Sequence, residues 1–295
     1  MRYLRKFNTL DEYNTALPGL ETPQTSLIAE DYSVKFTPWH DSRLDEYFTI
    51  ESLEDNNEVY FRYYSSGNYM GIEVSKDKNT WNVYSPTSGN GRLISTLNYG
   101  EKLYIKRHDR NYTPEDSGWD SGALWNTSNN QYSYSYFYCS KYHNVRGNIM
   151  SLLTSNDAFK TAKKLSLDYN CTFNKLFYQD TKLISAKDLM LPAVTGTENC
   201  YRDMFNGCSN LEYAPVIYLN DITNWKIYQM FMGCTKLNYL KCLSTIGTDS
   251  TTNYYNILYN TAATGKFVKA AGTTWNQSSN GIPSGWTIEE VEIDE

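Results

Sequence analysis

Only three histidines, His40, His108 and His143, occur in 295 residues, and they stand too far apart in sequence to share a metal at ligand spacing. Cys-x-x-Cys pairs are missing as well, so neither zinc nor any other cofactor is expected. The chain has no glycine-rich phosphate loop, no nucleophile elbow and no HExxH helix. Its carboxylate pairs, Glu51 with Glu54, Glu115 with Asp116 and Glu289 with Glu290, are sequence neighbours with no sign of the two-sided cleft a glycosidase needs. An enzyme is therefore not expected. No apolar run approaches the roughly 18 residues of a spanning helix, which excludes that kind of membrane protein. Positive charge is sparse: 27 Lys and Arg against 33 Asp and Glu leave a net charge of −6, with no basic stripe interleaved with aromatics, so nucleic acid is not an expected partner. The start, Met1 to Phe7, is followed by Asn8, Thr9, Asp11 and Glu12 rather than an apolar core, which is not the pattern of a secretion signal. Heptads that would set an oligomer number are also missing.

What the chain does have is tyrosine, 27 of them, and a repeat. Between about residues 149 and 283, Leu176-Phe177, Met204-Phe205, Met230-Phe231 and Ile257-Leu258 recur at intervals of 26 to 28 residues. A second register follows six residues after the phenylalanines, at Leu183, Leu211 and Leu237, with Phe267 a displaced fourth member. Ala186, Ala214, Leu240 and Ala270 lie three residues further on. A unit of this length cannot bury its apolar side alone, whereas stacked neighbours share a core. The spacing predicts a short strand for the Leu-plus-Ala pair and a brief helix for the pair containing Phe177, Phe205, Phe231 or Leu258, with Gly207 and Gly233 closing the helices. Six cysteines all fall from Cys139 onward, and Cys208 and Cys234 hold equivalent places in successive units, which favours small buried residues over disulfides.

Ahead of the repeat, residues 1–46 read as a small α/β module. Thr9 and Glu12 form a capping box, and the segments holding Leu27 and Ile28, then Val34 and Phe36, read as two strands. Phe7, Leu27, Ile28, Val34 and Phe36 are the candidate attachment residues, because so small a piece needs a larger surface to dock on. Residues 47–110 alternate with period two: Val59, Phe61 and Tyr63; Met70, Ile72 and Val74; Trp81 and Val83; Leu103 and Ile105. Frequent breakers between them predict an antiparallel β-sandwich. Residues 111–148 form a loop and junction, in which Trp119 and Trp125 either stack on a ligand or cover the joint. Tyr132, Tyr134, Tyr136 and Tyr138 alternate along a strand with one tyrosine-lined face, on which Tyr134 and Tyr136 are candidate ligand-facing residues. Residues 149–295 complete the chain as a short leucine-rich-repeat-like solenoid with a C-terminal cap.

Tyr201-Arg202-Asp203-Met204-Phe205-Asn206-Gly207-Cys208-Ser209-Asn210-Leu211 resembles the Tyr-x-x-Met-Phe-x-Gly-Cys-x-x-Leu unit of the leucine-rich-repeat surface proteins of Bacteroides and its relatives. Tyr228 to Leu237 matches after one deletion, and Phe173 to Leu183 is a copy without Gly-Cys. Asn144 to Leu153 resembles the opening of such arrays, and Gly265 to Ala270 with Gly281 to Trp286 their closing cap. The start of the chain, Phe7 to Tyr13 with Ser26-Leu27-Ile28, is similar to that of structural proteins from Bacteroides-infecting bacteriophages. Ser75-Lys76-Asp77-Lys78-Asn79-Thr80-Trp81 resembles one Asp-box hairpin of sialidases, a structural device in which Asp caps backbone N–H groups. The first two resemblances imply a virion component such as a head or tail fibre or a capsid decoration protein, bound to other capsid or tail proteins. It would recognise a host-surface glycan or protein and gain from several copies as a homo-oligomer. The alternatives are a bacterial cell-surface adhesin and a glycan-active enzyme.

Overall fold

The computed structural model describes residues 45–63, 71–84, 91–108, 134–160, 165–166, 170–192, 194–195, 198–219 and 221–293. The chain divides into two compact units, and all described residues but Glu292 and Ile293 belong to the one spanning Pro38–Val291. The strands are β1 (Phe48–Ser52), β2 (Asn57–Tyr63), β3 (Ile72–Ser75), β4 (Asn82–Tyr84), β5 (Arg92–Leu97), β6 (Lys102–Arg107), β7 (Ser135–Cys139), β8 (His143–Asn148), β9 (Leu165–Ser166), β10 (Leu183–Met190), β11 (Val194–Thr195), β12 (Tyr239–Cys242), β13 (Gly265–Ala270) and β14 (Trp286–Val291). They form a six-stranded sheet in the order β10-β8-β1-β6-β3-β4 and two three-stranded sheets, β5-β2-β7 and β12-β13-β14, with a two-stranded pair, β11-β9.

Alternation explains the first two sheets. Phe48 and Ile50 on β1, Leu103 and Ile105 on β6, and Ile72 and Val74 on β3 turn to one side and are buried. Val59 and Phe61 on β2, Ile94 on β5 and Phe137 on β7 meet them from the other sheet. Phe137 joins the two layers, its ring 5.3 Å from Phe48 and 4.6 Å from Phe61. The antiparallel sandwich expected over 47–110 is corrected in extent: the pairs within it are antiparallel, but the larger sheet also takes in β8 and β10, and it is mixed because β10 runs parallel to β8. β1 and β6 occupy its middle, with β8 between β1 and β10. Gly147 permits the β8 crossing, since its φ is +80° and a Cβ there would lie 2.1 Å from the Tyr47 carbonyl oxygen.

The expected leucine-rich-repeat-like solenoid is also overturned. Among the described residues the longest helix is the five-residue 3-10 segment Ile149–Leu153, so no helical repeat face is present there, and the α/β module expected over residues 1–46 lies, but for 45 and 46, outside the described residues. The strands of the repeat region do not merge into one curved sheet either. β10 joins the six-stranded sheet and β12-β13-β14 is a separate sheet, and among the described residues isolated bridges at Ser185 with Tyr213, Ile217 with Cys242 and Asp221 with Ile246 lie between them. Pro215 gives a physical reason, since it removes a ladder donor from the unit that would have connected the two.

The phenylalanine segments form ladders of turns instead of helices. Every fourth residue is left-handed: Cys171, Lys175 and Gln179 in one coil, Asn199, Asp203 and Gly207 in the next, and Trp225, Gln229 and Gly233 in the third, with φ between 53° and 81°. Amides then alternate in direction. Tyr178 and Asp180 donate back three residues within their coil, at 3.0 and 3.1 Å. Phe173, Lys175, Phe177 and Gln179 donate to the carbonyls of Cys200, Arg202, Met204 and Asn206 in the next coil, at 2.8 to 3.0 Å. Tyr201, Asp203, Phe205 and Gly207 repeat this toward Lys226, Tyr228, Met230 and Met232. Left-handed L-residues cost about 1–2 kcal/mol each, and the inter-coil bonds offset that strain. Gly207 and Gly233 therefore end runs of turns, not helices.

Inside the ladder the repeat residues stack. Phe177, Phe205, Phe231, Leu258, Leu183, Leu211 and Leu237 are all fully buried. Phe205 lies 5.3 Å from Phe177 and 5.3 Å from Phe231, nearly parallel to both. Cys208 and Cys234 are free and buried, and each thiol donates to the preceding coil, to the carbonyls of Phe177 at 3.0 Å and Phe205 at 3.1 Å. Phe267 pairs with Leu240, not with Leu237, which shifts it out of the second apolar register.

Candidate functional site

Two surfaces meet at β7. On its outer edge the Phe137 amide donates to the Leu176 carbonyl at 3.0 Å, so the sheet β5-β2-β7 continues directly into the turn ladder. Ser135, Phe137 and Cys139 are buried, and Tyr134, Tyr136 and Tyr138 stand half-buried on the opposite side. Successive rings lie 5.8 and 5.9 Å apart. Tyr60 of β2 stacks on Tyr138 at 4.9 Å, and its hydroxyl donates to Glu58 at 2.7 Å. Arg62 of β2 donates to the Tyr136 hydroxyl at 2.8 Å.

The turn ladder prolongs this row. Tyr178 meets Tyr134 edge-on at 6.1 Å, and the Lys175 ammonium lies 4.6 Å from the Tyr134 ring centre and 5.2 Å from that of Tyr178. One coil further on, the Arg202 guanidinium covers Tyr228 at 4.3 Å, and Tyr228 stacks on Tyr255 of the following coil at 5.6 Å. The result is a ribbon of tyrosines punctuated by Arg62, Lys175 and Arg202. From β2 to the coil of Tyr255 it crosses five strand-or-coil steps, about 25 Å at roughly 5 Å per step.

Burial lowers the Lys175 pKa from its ordinary value, and the nearby Asp203 carboxylate only partly restores it. Asp203 is itself engaged: Asn206 donates to it at 2.7 Å and the Arg202 Nε at 3.4 Å. Burial also raises Tyr138 and Tyr178, so their hydroxyls remain protonated donors at neutral pH. The ribbon therefore offers phenol O–H groups, ring faces and fixed cations, which suits a polar ligand with both flat apolar faces and acceptor oxygens.

Tyr134 and Tyr136 sit at the centre of this ribbon, whereas Trp119 and Trp125 lie outside the described residues, as do Phe7, Leu27, Ile28, Val34 and Phe36. Lys175, Tyr178, Arg202 and Tyr228 escaped the sequence reading because they come from another part of the chain. Lys175, Arg202 and Tyr228 each lie one or two residues after Phe173, Tyr201 or Ile227, and Tyr178 follows Phe177; those places beside the repeat residues are their trace in sequence.

Two other polar clusters are structural. Asp77 accepts from the amides of Asn79 at 2.8 Å and Thr80 at 2.7 Å and from Ser75 Oγ at 2.9 Å, and Trp81 Nε1 donates to the Lys78 carbonyl at 3.1 Å. The Thr80 amide above all, with the Asn79 amide and the Ser75 hydroxyl, holds the Asp77 carboxyl down to about 2. Cys139, His143 and Asp180 form a buried row, with His143 Nε2 3.2 Å from Asp180 Oδ2 and Nδ1 3.2 Å from the Lys141 carbonyl. Burial opposes a charged ring there, but Cys139 and Asp180 outweigh it and raise the His143 pKa well above 6.5, while burial raises the Cys139 thiol. These side chains, 4% exposed or less, form no accessible nucleophile.

Among the described residues no cluster of three or more His, Cys, Asp and Glu side chains is placed to hold a metal, and no helix is long and apolar enough to cross a membrane. No family model, no curated protein and no solved structure matches the chain.

Proposed function

We propose that the chain is a non-enzymatic bacteriophage virion protein, a head or tail fibre or a capsid decoration protein, that presents the tyrosine ribbon to a glycan on the host surface. The observation that carries the binding part is the continuity of the ribbon from Tyr60 through Tyr136 and Lys175 to Tyr255 across two kinds of backbone. Sugar rings stack on aromatic faces and accept hydrogen bonds from phenols and cations, and a row of such places suits a chain of sugars. The virion part is supported by the resemblance of the N-terminal segment to phage structural proteins. In that setting weak contacts multiply over many copies, and a homo-oligomer adds to the effect.

A glycan array tests the binding part: the wild-type chain retains a defined set of host-surface glycans, and Tyr136→Ala with Tyr134→Ala abolishes retention. Retention unchanged in that double variant refutes the ribbon as the site. Mass spectrometry of purified particles tests the setting, where the chain is expected at stoichiometric abundance. A chain missing from particles but present on bacterial cells favours the second reading, an adhesin of the leucine-rich-repeat type, which rests on the Gly-Cys units around Cys208 and Cys234.

A further inference from the structure

The chemistry at the middle of the ribbon narrows the class of glycan. Lys175 stands on a left-handed backbone with φ of 61°, and its ammonium is held between the rings of Tyr134 and Tyr178. Among the described residues it makes no ion pair; Lys78 and Lys182 likewise rest on a tyrosine ring, but each on one, whereas Lys175 is half-buried between two. Half-burying a cation without a paired carboxylate is costly, and aromatic faces offset only part of that cost. Arg62 and Arg202 flank it along the ribbon, one anchored on Tyr136 and the other over Tyr228. The one carboxylate beside Lys175, Asp203, has its oxygens committed to Asn206 and Arg202. Three cations thus lie along one row, with Tyr136 and Tyr134 between Arg62 and Lys175 and Arg202, itself paired with Asp203, one coil beyond, and the coils repeat at the 5.3 Å step of the phenylalanine stack. That step is comparable to the advance of one sugar along an extended polysaccharide.

We infer that the ligand is an acidic polysaccharide, with a carboxylate or sulfate group seated at Lys175 between Tyr134 and Tyr178 and neighbouring sugar faces on Tyr136 and Tyr228. The inference rests on the proposed glycan-binding role of the ribbon and adds the charge of the ligand. An anion arriving at Lys175 supplies a charged partner and favours the protonated form that burial disfavours. Nucleic acid offers the same charge, but the acidic chain as a whole, at −6, repels a dense phosphate backbone.

Affinity electrophoresis of the full chain through gels containing polygalacturonate, dextran sulfate, uncharged dextran or single-stranded DNA tests this. Retardation is expected with polygalacturonate or dextran sulfate, and which of the two binds better distinguishes carboxylate from sulfate. Lys175→Gln should weaken it about tenfold or more, as loss of a charge-assisted hydrogen bond does, and Lys175→Arg should retain most of it. Arg62→Gln provides an independent second variant should Lys175→Gln fold poorly, and retardation should fall as salt is raised. Equal retardation by uncharged dextran, stronger retardation by DNA, or insensitivity to both Lys175→Gln and Arg62→Gln overturns the inference. Binding of neutral glycans on the array together with no retardation here overturns the acidic class alone, and no glycan binding in either assay overturns the proposed function as well.

Discussion

Removing one ring from the middle of the phenylalanine stack probes how far the repeat units act as one body. Phe205 is fully buried, with Phe177 and Phe231 each 5.3 Å away at interplanar angles of 16° and 2°. Phe205→Ala loses the transfer energy of the ring and leaves a void between two rings that cannot close on it. Their backbones are pinned by Phe177 N–H to Met204 at 2.9 Å and Phe231 N–H to Ile257 at 3.1 Å. Phe→Ala in cores costs about 3–5 kcal/mol, and the pinned walls put this site toward the upper end. For a unit of this size each kcal/mol lowers Tm by about 2–4 °C, which gives a fall of roughly 10–15 °C. Urea unfolding followed by circular dichroism reads the same loss as a shift in midpoint. Phe231→Ala alone should behave similarly, and the double variant should lose about 1 kcal/mol less than the sum, because the second truncation removes a contact already gone. A single-variant loss below about 1.5 kcal/mol, or a double variant that is strictly additive, refutes the shared stack.

Three further outcomes follow from the polar pins. The His143 ring binds its proton more tightly folded than unfolded, so its contribution is complete below about pH 6.5 and decays as pH rises toward the folded pKa; pH-dependent urea titrations should show that slope, and His143→Gln should abolish it. Asp180→Asn leaves the buried ring without its carboxylate and should cost about 3–5 kcal/mol by the same titration at neutral pH. Asp77 has the opposite sign: its low folded pKa contributes stability above about pH 4 that is lost as pH falls toward 2, so Asp77→Asn should flatten the acid limb of a thermal-melt profile. Gly147→Ala sets a Cβ against the Tyr47 carbonyl on a left-handed backbone, and its soluble yield and Tm should both drop clearly below those of a control such as Gly100→Ala, where a Cβ meets nothing within 4 Å.

The repeat was legible because its buried positions are chemically narrow. Phenylalanine at 177, 205 and 231 must stack, and Gly-Cys at 207–208 and 233–234 must turn and donate a thiol to the coil before. The conformation between those positions was not legible. Helices end where glycine permits positive φ, but here Lys175, Asp203 and Gln229 also adopt it, and nothing in those residue types announces this. The inter-coil hydrogen bonds that hold them there are non-local. The same limit hid the mixed sheet. β8 reads as the opening of a repeat array, yet it pairs with β1 nearly a hundred residues earlier and with β10 some forty later. At the ribbon, alternation in β7 was enough to place Tyr134 and Tyr136 on one face, whereas Lys175 and Tyr178 reach them only through the Phe137 to Leu176 backbone bond.

The most direct measurement of the central claim is a crystal structure of the chain with an oligosaccharide captured from the glycan array. Sugar rings are expected across Tyr136, Tyr134 and Tyr178, with an acidic group within hydrogen-bond distance of the Lys175 ammonium. Sugar bound instead at Tyr213 or Tyr239, exposed at 55% and 46%, with the ribbon left bare, would contradict it.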